Sequence, residues 1–220
     1  MKGYEHVRML KILTMTAASV MLAATVTAQS VPEVKLPPSP AGQASVQVGG
    51  TWTKSDDGQR YQGGKWIVVD YGRPLLRGRK NIFGSGAEYG KAVLDGTAIW
   101  RAGANATTTL TTQAPLMLGG KRLEPGIYNV FVDLKPGAWT LVLTNQPRQA
   151  KYDPNDKVNL SGAYNYNPKF DVARVPMMVD SVDYSVEQLM ITFINATDTS
   201  VVMAMAWENT VALATLEVAK

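Results

Sequence analysis

Four arginines, Arg73, Arg77, Arg79 and Arg101, carry the strongest chemistry in this chain. Their planar guanidinium forks suit carboxylate or phosphate groups. Pro74 fixes the backbone after Arg73 and biases Arg73 towards extended geometry. Gly78 and Gly84 permit turns that would bring backbone N–H groups close to an anion. Trp100 precedes Arg101, and Asn105 follows a Gly-Ala pair from which its amide can orient a ligand. Arg73, Arg79, Trp100, Arg101, Asn105 and Glu208 therefore form a candidate anion-binding set. The same residues also suit a structural role, in which Arg101 pairs with Glu208 or Asp70 and staples a loop onto a sheet.

A second informative stretch covers residues 146–170, which is long, polar and poor in strand signals. It carries Tyr152, Tyr164, Tyr166 and Phe170. Long loops in compact domains are often functional, and Tyr with Asn suits sugar or peptide contact. Tyr164 and Tyr166 join the candidate ligand-binding residues on that ground. The alternative is that these rings pin the loop to one open edge of a sandwich and shield it from strand-to-strand association.

The remaining chemistry is narrow. The chain has no Cys, and its one His, His6, lies in a segment that reads as a removable leader. Ser-His-Asp triads, Cys-His dyads, His-ligated zinc and disulfide frameworks are excluded from the mature form. No catalytic residue, metal ligand set or cofactor motif is assigned. Asp153-Pro154-Asn155-Asp156 spaces oxygen ligands as a weak calcium site would, without the Gly and distant Glu of an EF-hand loop. Met177, Met178, Met203 and Met205 read as core filler, since no His or Cys accompanies them.

Lys2, Arg8 and Lys11, an apolar stretch from Ile12 to Val26 and the small residues of Val26-Thr27-Ala28 predict a signal peptide over 1–28, cleaved after Ala28. Its apolar stretch is too short and Thr-rich for a stable span, so no membrane span remains in the mature form. Removing it takes away three basic residues and one acidic residue, leaving a net charge of +2 over residues 29–220. With no block of five basic residues, nucleic acid is not an expected partner. Pro32, Pro37, Pro38 and Pro40 predict an extended tether over 29–42. Residues 43–220 suit one domain, placed in the periplasm or outside the cell.

The elements that position the chemistry are strands. Residues 126–134 and 138–145 alternate with period two around Lys135-Pro136-Gly137, a type II turn signal, and predict a hairpin. A second hairpin is predicted from 188–195 and 200–207 around Ala196-Thr197-Asp198, followed by a run over 211–218. Earlier strands are predicted at 44–53, 65–71 and 106–113, the last carrying five Thr. Residues 88–94 supply at most one or two helical turns. Trp66, Trp100, Trp139 and Trp207 lie in strand-like runs and are predicted core, with Trp52 exposed. The pattern predicts an all-β chain folded as one β-sandwich or jelly-roll-like domain.

Several of these residues recur as a pattern. It runs Tyr71-x-Arg73-Pro74, Arg77-Gly78-Arg79, Ile82-Phe83-Gly84, Tyr89-Gly90-Lys91 and Trp100-Arg101-x-Gly103-Ala104-Asn105, then a Thr-rich strand. It continues with Gly126-Ile127-Tyr128, Trp139 with Asn145, residues 162–166, residues 171–175 and Trp207-Glu208-Asn209. This pattern resembles the bacterial exported domain family DUF2911 over most of the chain after the tether. The resemblance implies an exported β-sandwich-like domain and carries over no catalytic residue. The chain departs from the pattern at Gly72, where the family usually has Ser, and at residues 92–98, which look inserted.

The reading that follows is an exported non-catalytic binding module for a small-molecule, glycan or protein ligand, with an anionic or sugar-like group held by the Arg/Trp/Asn cluster. One alternative is a carboxylate-based hydrolase of the glycan type, with Glu208 paired to Glu88 or Asp70. Another is a structural envelope protein in which tether and sandwich act as a spacer.

Overall fold

Period-two alternation is what the backbone obeys. In a computed structural model, residues 31–219 are described; the expected signal peptide over 1–28 lies outside the described residues. The chain divides into two units at Lys35/Leu36. All that follows concerns the second. Residues 36–38 are exposed and 39–40 half-buried, and the first strand begins at Ala41, two residues inside the expected tether.

Twelve strands run in chain order: β1 (Ala41–Val48), β2 (Thr51–Ser55), β3 (Gly58–Gln62), β4 (Lys65–Gly72), β5 (Thr109–Thr112), β6 (Leu116–Leu118), β7 (Lys121–Leu123), β8 (Gly126–Asp133), β9 (Thr140–Thr144), β10 (Asp171–Pro176), β11 (Met178–Ile194) and β12 (Ser200–Val218). A six-stranded sheet has the order β1-β4-β5-β8-β9-β10, a four-stranded sheet the order β11-β12-β6-β7, and β2-β3 forms a separate hairpin. All pairings are antiparallel. One short helix, α1 (Lys91–Leu94), follows a single 3-10 turn at Gly86–Glu88.

Both predicted hairpins form. Gly137 takes φ +72° and Ala138 N donates to Lys135 O, closing the turn between β8 and β9. β12 runs through residues 208–210 without a break, so the predicted last run is its continuation. The predicted strand over 44–53 is two strands, because Gly49 at φ +67° and Gly50 turn the chain into the β2-β3 hairpin.

One core fills the space between the sheets. Ile67, Val69, Leu110, Val130, Val132, Leu141 and Leu143 meet Leu189, Ile191, Met203, Met205, Ala212 and Leu216 from the opposing sheet. Tyr71 ties the two layers polar to polar: its hydroxyl donates to Ile191 O at 3.2 Å and accepts from Ile191 N at 2.9 Å. At one end Phe83, Trp100, Trp139 and Trp207 form an aromatic cluster, with Trp100 and Trp207 stacked at 6.4 Å and 9°. Trp139 Nε1 donates to the Tyr89 hydroxyl. Trp66 departs from the expectation of core packing. It lies on the outward face of β4, 43% exposed, because Ile67 and Val69 occupy the inward positions. Met178 likewise is exposed, unlike Met177, Met203 and Met205.

A third layer covers part of the outer face of the six-stranded sheet. Leu160 and Ala163 of the polar loop pack on Ile99, Phe131 and Val142, and Tyr166 sits edge-on to Phe131 at 5.3 Å. The loop therefore covers a sheet face, not the open edge expected for its rings. β8 shows why: its even residues Val130 and Val132 face the main core, leaving Phe131 apolar on the other side.

Candidate functional site

The arginine-rich loop, residues 73–84, is held by β11 and β12. Leu75 bridges Gln188, Leu76 N donates to Glu187 O and Leu189 N donates to Pro74 O. Arg77 and Asn81 adopt φ of +50° and +51°, the left-handed region that aims successive N–H groups to one side. Those groups do bind anions, but the anions are the protein's own. Arg77 N donates to Glu187 Oε1 at 2.8 Å. Asn81 N and Ile82 N donate to the two oxygens of Glu208. The predicted backbone nest is thus filled from β11 and β12, both of which depart from regular register there.

The six arginine-motif residues separate accordingly. Arg73 Nε donates to Leu189 O at 3.4 Å and acts as a strap between the sheets. Arg79 holds its own loop through Leu75 O and Leu76 O, and its guanidinium lies 5.7 Å from the centroid of the Trp207 ring. Trp100 is buried, its backbone paired with Val132. Arg101 pairs with neither Glu208 nor Asp70. Its Nη1 donates to Asn105 O at 3.0 Å and its Nη2 lies 3.9 Å from Asp95 Oδ2. The Asp70 carboxylate accepts from Gln43 instead.

Asn105 takes φ +62° and its Nδ2 donates to Ser39 O. It lines four neighbouring cavities. One, about 300 Å³, adds Arg79, Trp100, Arg101 and Trp207. A second, about 320 Å³, adds Arg101 and Tyr164. A third, about 300 Å³, adds Asp70 and Arg148. The largest, about 510 Å³, lies beneath the start of the polar loop and adds Ile127, Asn129, Arg148 and Lys151. Five predicted residues, Arg79, Trp100, Arg101, Asn105 and Tyr164, thus each line at least one of these four cavities, which share Asn105 and together are termed the cleft. Three do not. Arg73 lines none of these four cavities, and Glu208 lines a separate cavity of about 380 Å³ with Asp180 and Tyr89. Tyr166 donates to Asp171 Oδ2 at 2.7 Å, and burial together with that carboxylate pushes its phenol well above the usual range.

The segment that looks inserted forms one wall of this cleft. Ala92, Val93 and Asp95 line the cavity of Arg79 and Arg101, and the Tyr164 hydroxyl lies 3.4 Å from Asp95 O. Asp156, offered as a calcium ligand, is already supplied with donors. Val158 N, Asn159 N and Asn159 Nδ2 all donate to it, which holds its carboxyl below the usual range. No cluster of three metal-ligating side chains occurs among the described residues. Sequence reasoning missed Ile127, Asn129, Arg148 and Lys151. The polar stretch pointed to the right loop, but its tyrosines drew attention from the two cations at its start.

The family model described as "Protein of unknown function (DUF2911)" matches residues 54–216. The chain belongs to the DUF2911 family. No curated protein and no solved structure matches it significantly.

In this DUF2911 chain, Gly72 has no room for a side chain. A Cβ there would lie 2.0 Å from Ala104 O, a backbone atom, and Gly103 faces Gly72 across the same approach. The end of β4 and the 102–105 turn, which carries Asn105, therefore pack backbone to backbone. Gly72→Ser is expected to cost about 2–3 kcal/mol through overpacking against main chain. Chemical denaturation checks it, and unchanged stability would mean that the turn moves freely.

Proposed function

We propose that this chain is an exported, non-catalytic binding module, and that its ligand is held in the branched cleft centred on Asn105. The observation that carries the reading is the convergence of four cavities on that one residue, three of them lined in part by the long polar loop. The leader-like residues 1–28 support export to the periplasm or the cell exterior. The carboxylates named for hydrolysis do not line one cavity: Asp70 lines the third branch of the cleft, and Glu208 a separate cavity with both oxygens engaged by backbone.

Arg101 is the residue on which to test this. Its side chain is 19% exposed, with one hydrogen bond and one distant partner that is itself mostly exposed. A weak ion pair and a single hydrogen bond are worth about 1–2 kcal/mol together. Arg101→Ala is expected to fold, to lose about that much stability, and to abolish the thermal shift produced by whichever member of a panel of saccharides, sugar acids and small anions binds the wild type. A shift of equal size in the variant, or no shift from any panel member, sinks the reading.

A further inference from the structure

We infer that the ligand class of the largest branch is an acidic saccharide, a ring bearing both a carboxylate and free hydroxyls. This inference rests on the binding-module reading above and names what that site takes.

The cavity of about 510 Å³ has two cations in its lining, Arg148 and Lys151, and no Asp or Glu. Neither side chain has an ion pair or side-chain hydrogen bond among the described residues. Some exposed cations elsewhere are paired, such as Arg60 with Asp57 and Lys91 with Glu88, while Lys54, Lys65 and Lys121 carry no ion pair among the described residues; what sets Arg148 and Lys151 apart is that they share one concave lining. Two unpaired cations in one concave site raise the local concentration of anions. Arg148 also lines the third branch, so its fork stands between two arms of the cleft.

A bare anion such as phosphate satisfies only half of this lining. Asn129 spends its Nδ2 on Thr144 O and Gln146 O, and Asn105 spends its Nδ2 on Ser39 O. The Oδ1 atoms of both accept nothing among the described residues. The Asn145 side-chain amide has no hydrogen-bond partner at either end among the described residues. Amide oxygens repel phosphate oxygens and need donors, which hydroxyl groups supply. Arg148 and Lys151 need acceptors, which a carboxylate supplies. A sugar acid carries both kinds of group on one ring. Two apolar surfaces complete the fit: Ile127 is 60% exposed on β8, and Tyr152 is 69% exposed on the loop. Such surfaces pack against the C–H face of a ring.

An acidic peptide also offers carboxylates and N–H donors. The lining disfavours it, because most of the strand backbone beneath the cavity is already paired. Asn129 sits between Thr109 of β5 and Thr144 of β9. Only Ile127, paired with Thr111 of β5 and with no β9 partner, leaves one side of its backbone open there, too short a stretch for strand addition.

The test is titration calorimetry of the purified protein at low and physiological salt with four probes: tetragalacturonate, neutral galactotetraose, inorganic phosphate and tetraglutamate. Tetragalacturonate is expected to bind at least about tenfold more tightly than each of the others, with affinity falling as salt rises. Arg148→Ala is expected to lose about tenfold for that probe. The variant should keep the wild-type unfolding temperature, since Arg148 is exposed and unpaired, and this separates lost contact from lost fold. Equal binding of the neutral saccharide, sensitive to Arg101→Ala but not to Arg148→Ala, overturns the acidic class and leaves the binding module standing. Preference for phosphate or tetraglutamate overturns the saccharide. Binding of none of the four overturns the acidic saccharide, and the wider panel then decides the module.

Discussion

Trp100→Ala is expected to lower the unfolding free energy by about 3–5 kcal/mol. The side chain is 2% exposed. It stacks on Trp207 and meets Phe83 and Trp139 edge-on at 5.4 and 6.1 Å. Truncation removes the transfer energy of an indole, loses three ring contacts and leaves a void. The void cannot close easily, because the residue's own backbone is bridged to Val132 in β8 and all three ring neighbours belong to other strands or loops. At this chain size, the loss corresponds to a fall in unfolding temperature of about 10 °C. Denaturant titration at constant m-value is the measurement. A loss under about 1 kcal/mol, below the range for large core truncations, would mean that the aromatic cluster repacks and does not anchor the turn that follows it.

Glu208→Ala should cost about 2–4 kcal/mol, since hydrogen bonds to a charged acceptor are worth more than neutral ones. Its two oxygens accept from Asn81 N and Ile82 N. Asn81 is exposed and water can take over its N–H; Ile82 is buried and its N–H would be stranded. Glu208→Gln should lose roughly half as much, because only one amide oxygen remains to accept. Amide hydrogen exchange supplies a second readout. Exchange should quicken over residues 76–84 in both variants while β8 and β9 stay protected. Wild-type exchange in that loop would show that Glu208 does not hold it.

The all-β class and both long hairpins were legible in the sequence because period-two alternation is local, and Pro136-Gly137 encodes its own turn. The short strands β6 and β7, three residues each, carry too little alternation to be read. Trp66 was misplaced because an aromatic in a strand has even odds of either face, and only pairing across β1 and β5 fixes which. The arginine motif was legible as a cluster but not as two populations. Nothing local says that Glu187 and Glu208, more than one hundred residues away in sequence, supply the anions for its backbone. Arg101 and Asn105 do reach the cleft, because the left-handed Ala102 and Asn105 turn the chain back over Gly72. Arg148 and Lys151 become visible as a pair only once Asn129 and Ile127 are placed beneath them by the sheet.

Gln146 donates to Val158 O and Asn165 O and accepts from Asn167 N. Gln149 donates to Asp153 O and Asp156 O and accepts from Asp153 N, while Asn165 donates to Asp156 O and Asn159 O. Three amides thus grip the loop almost wholly by its main chain. Main-chain atoms are the same whatever residue bears them. Side chains at 150–152, 154, 155 and 157 are therefore open to substitution without loosening the grip. Lineages sharing this scaffold can diversify what the loop presents, much as a handle accepts different blades, while Gln146, Gln149 and Asn165 remain constrained.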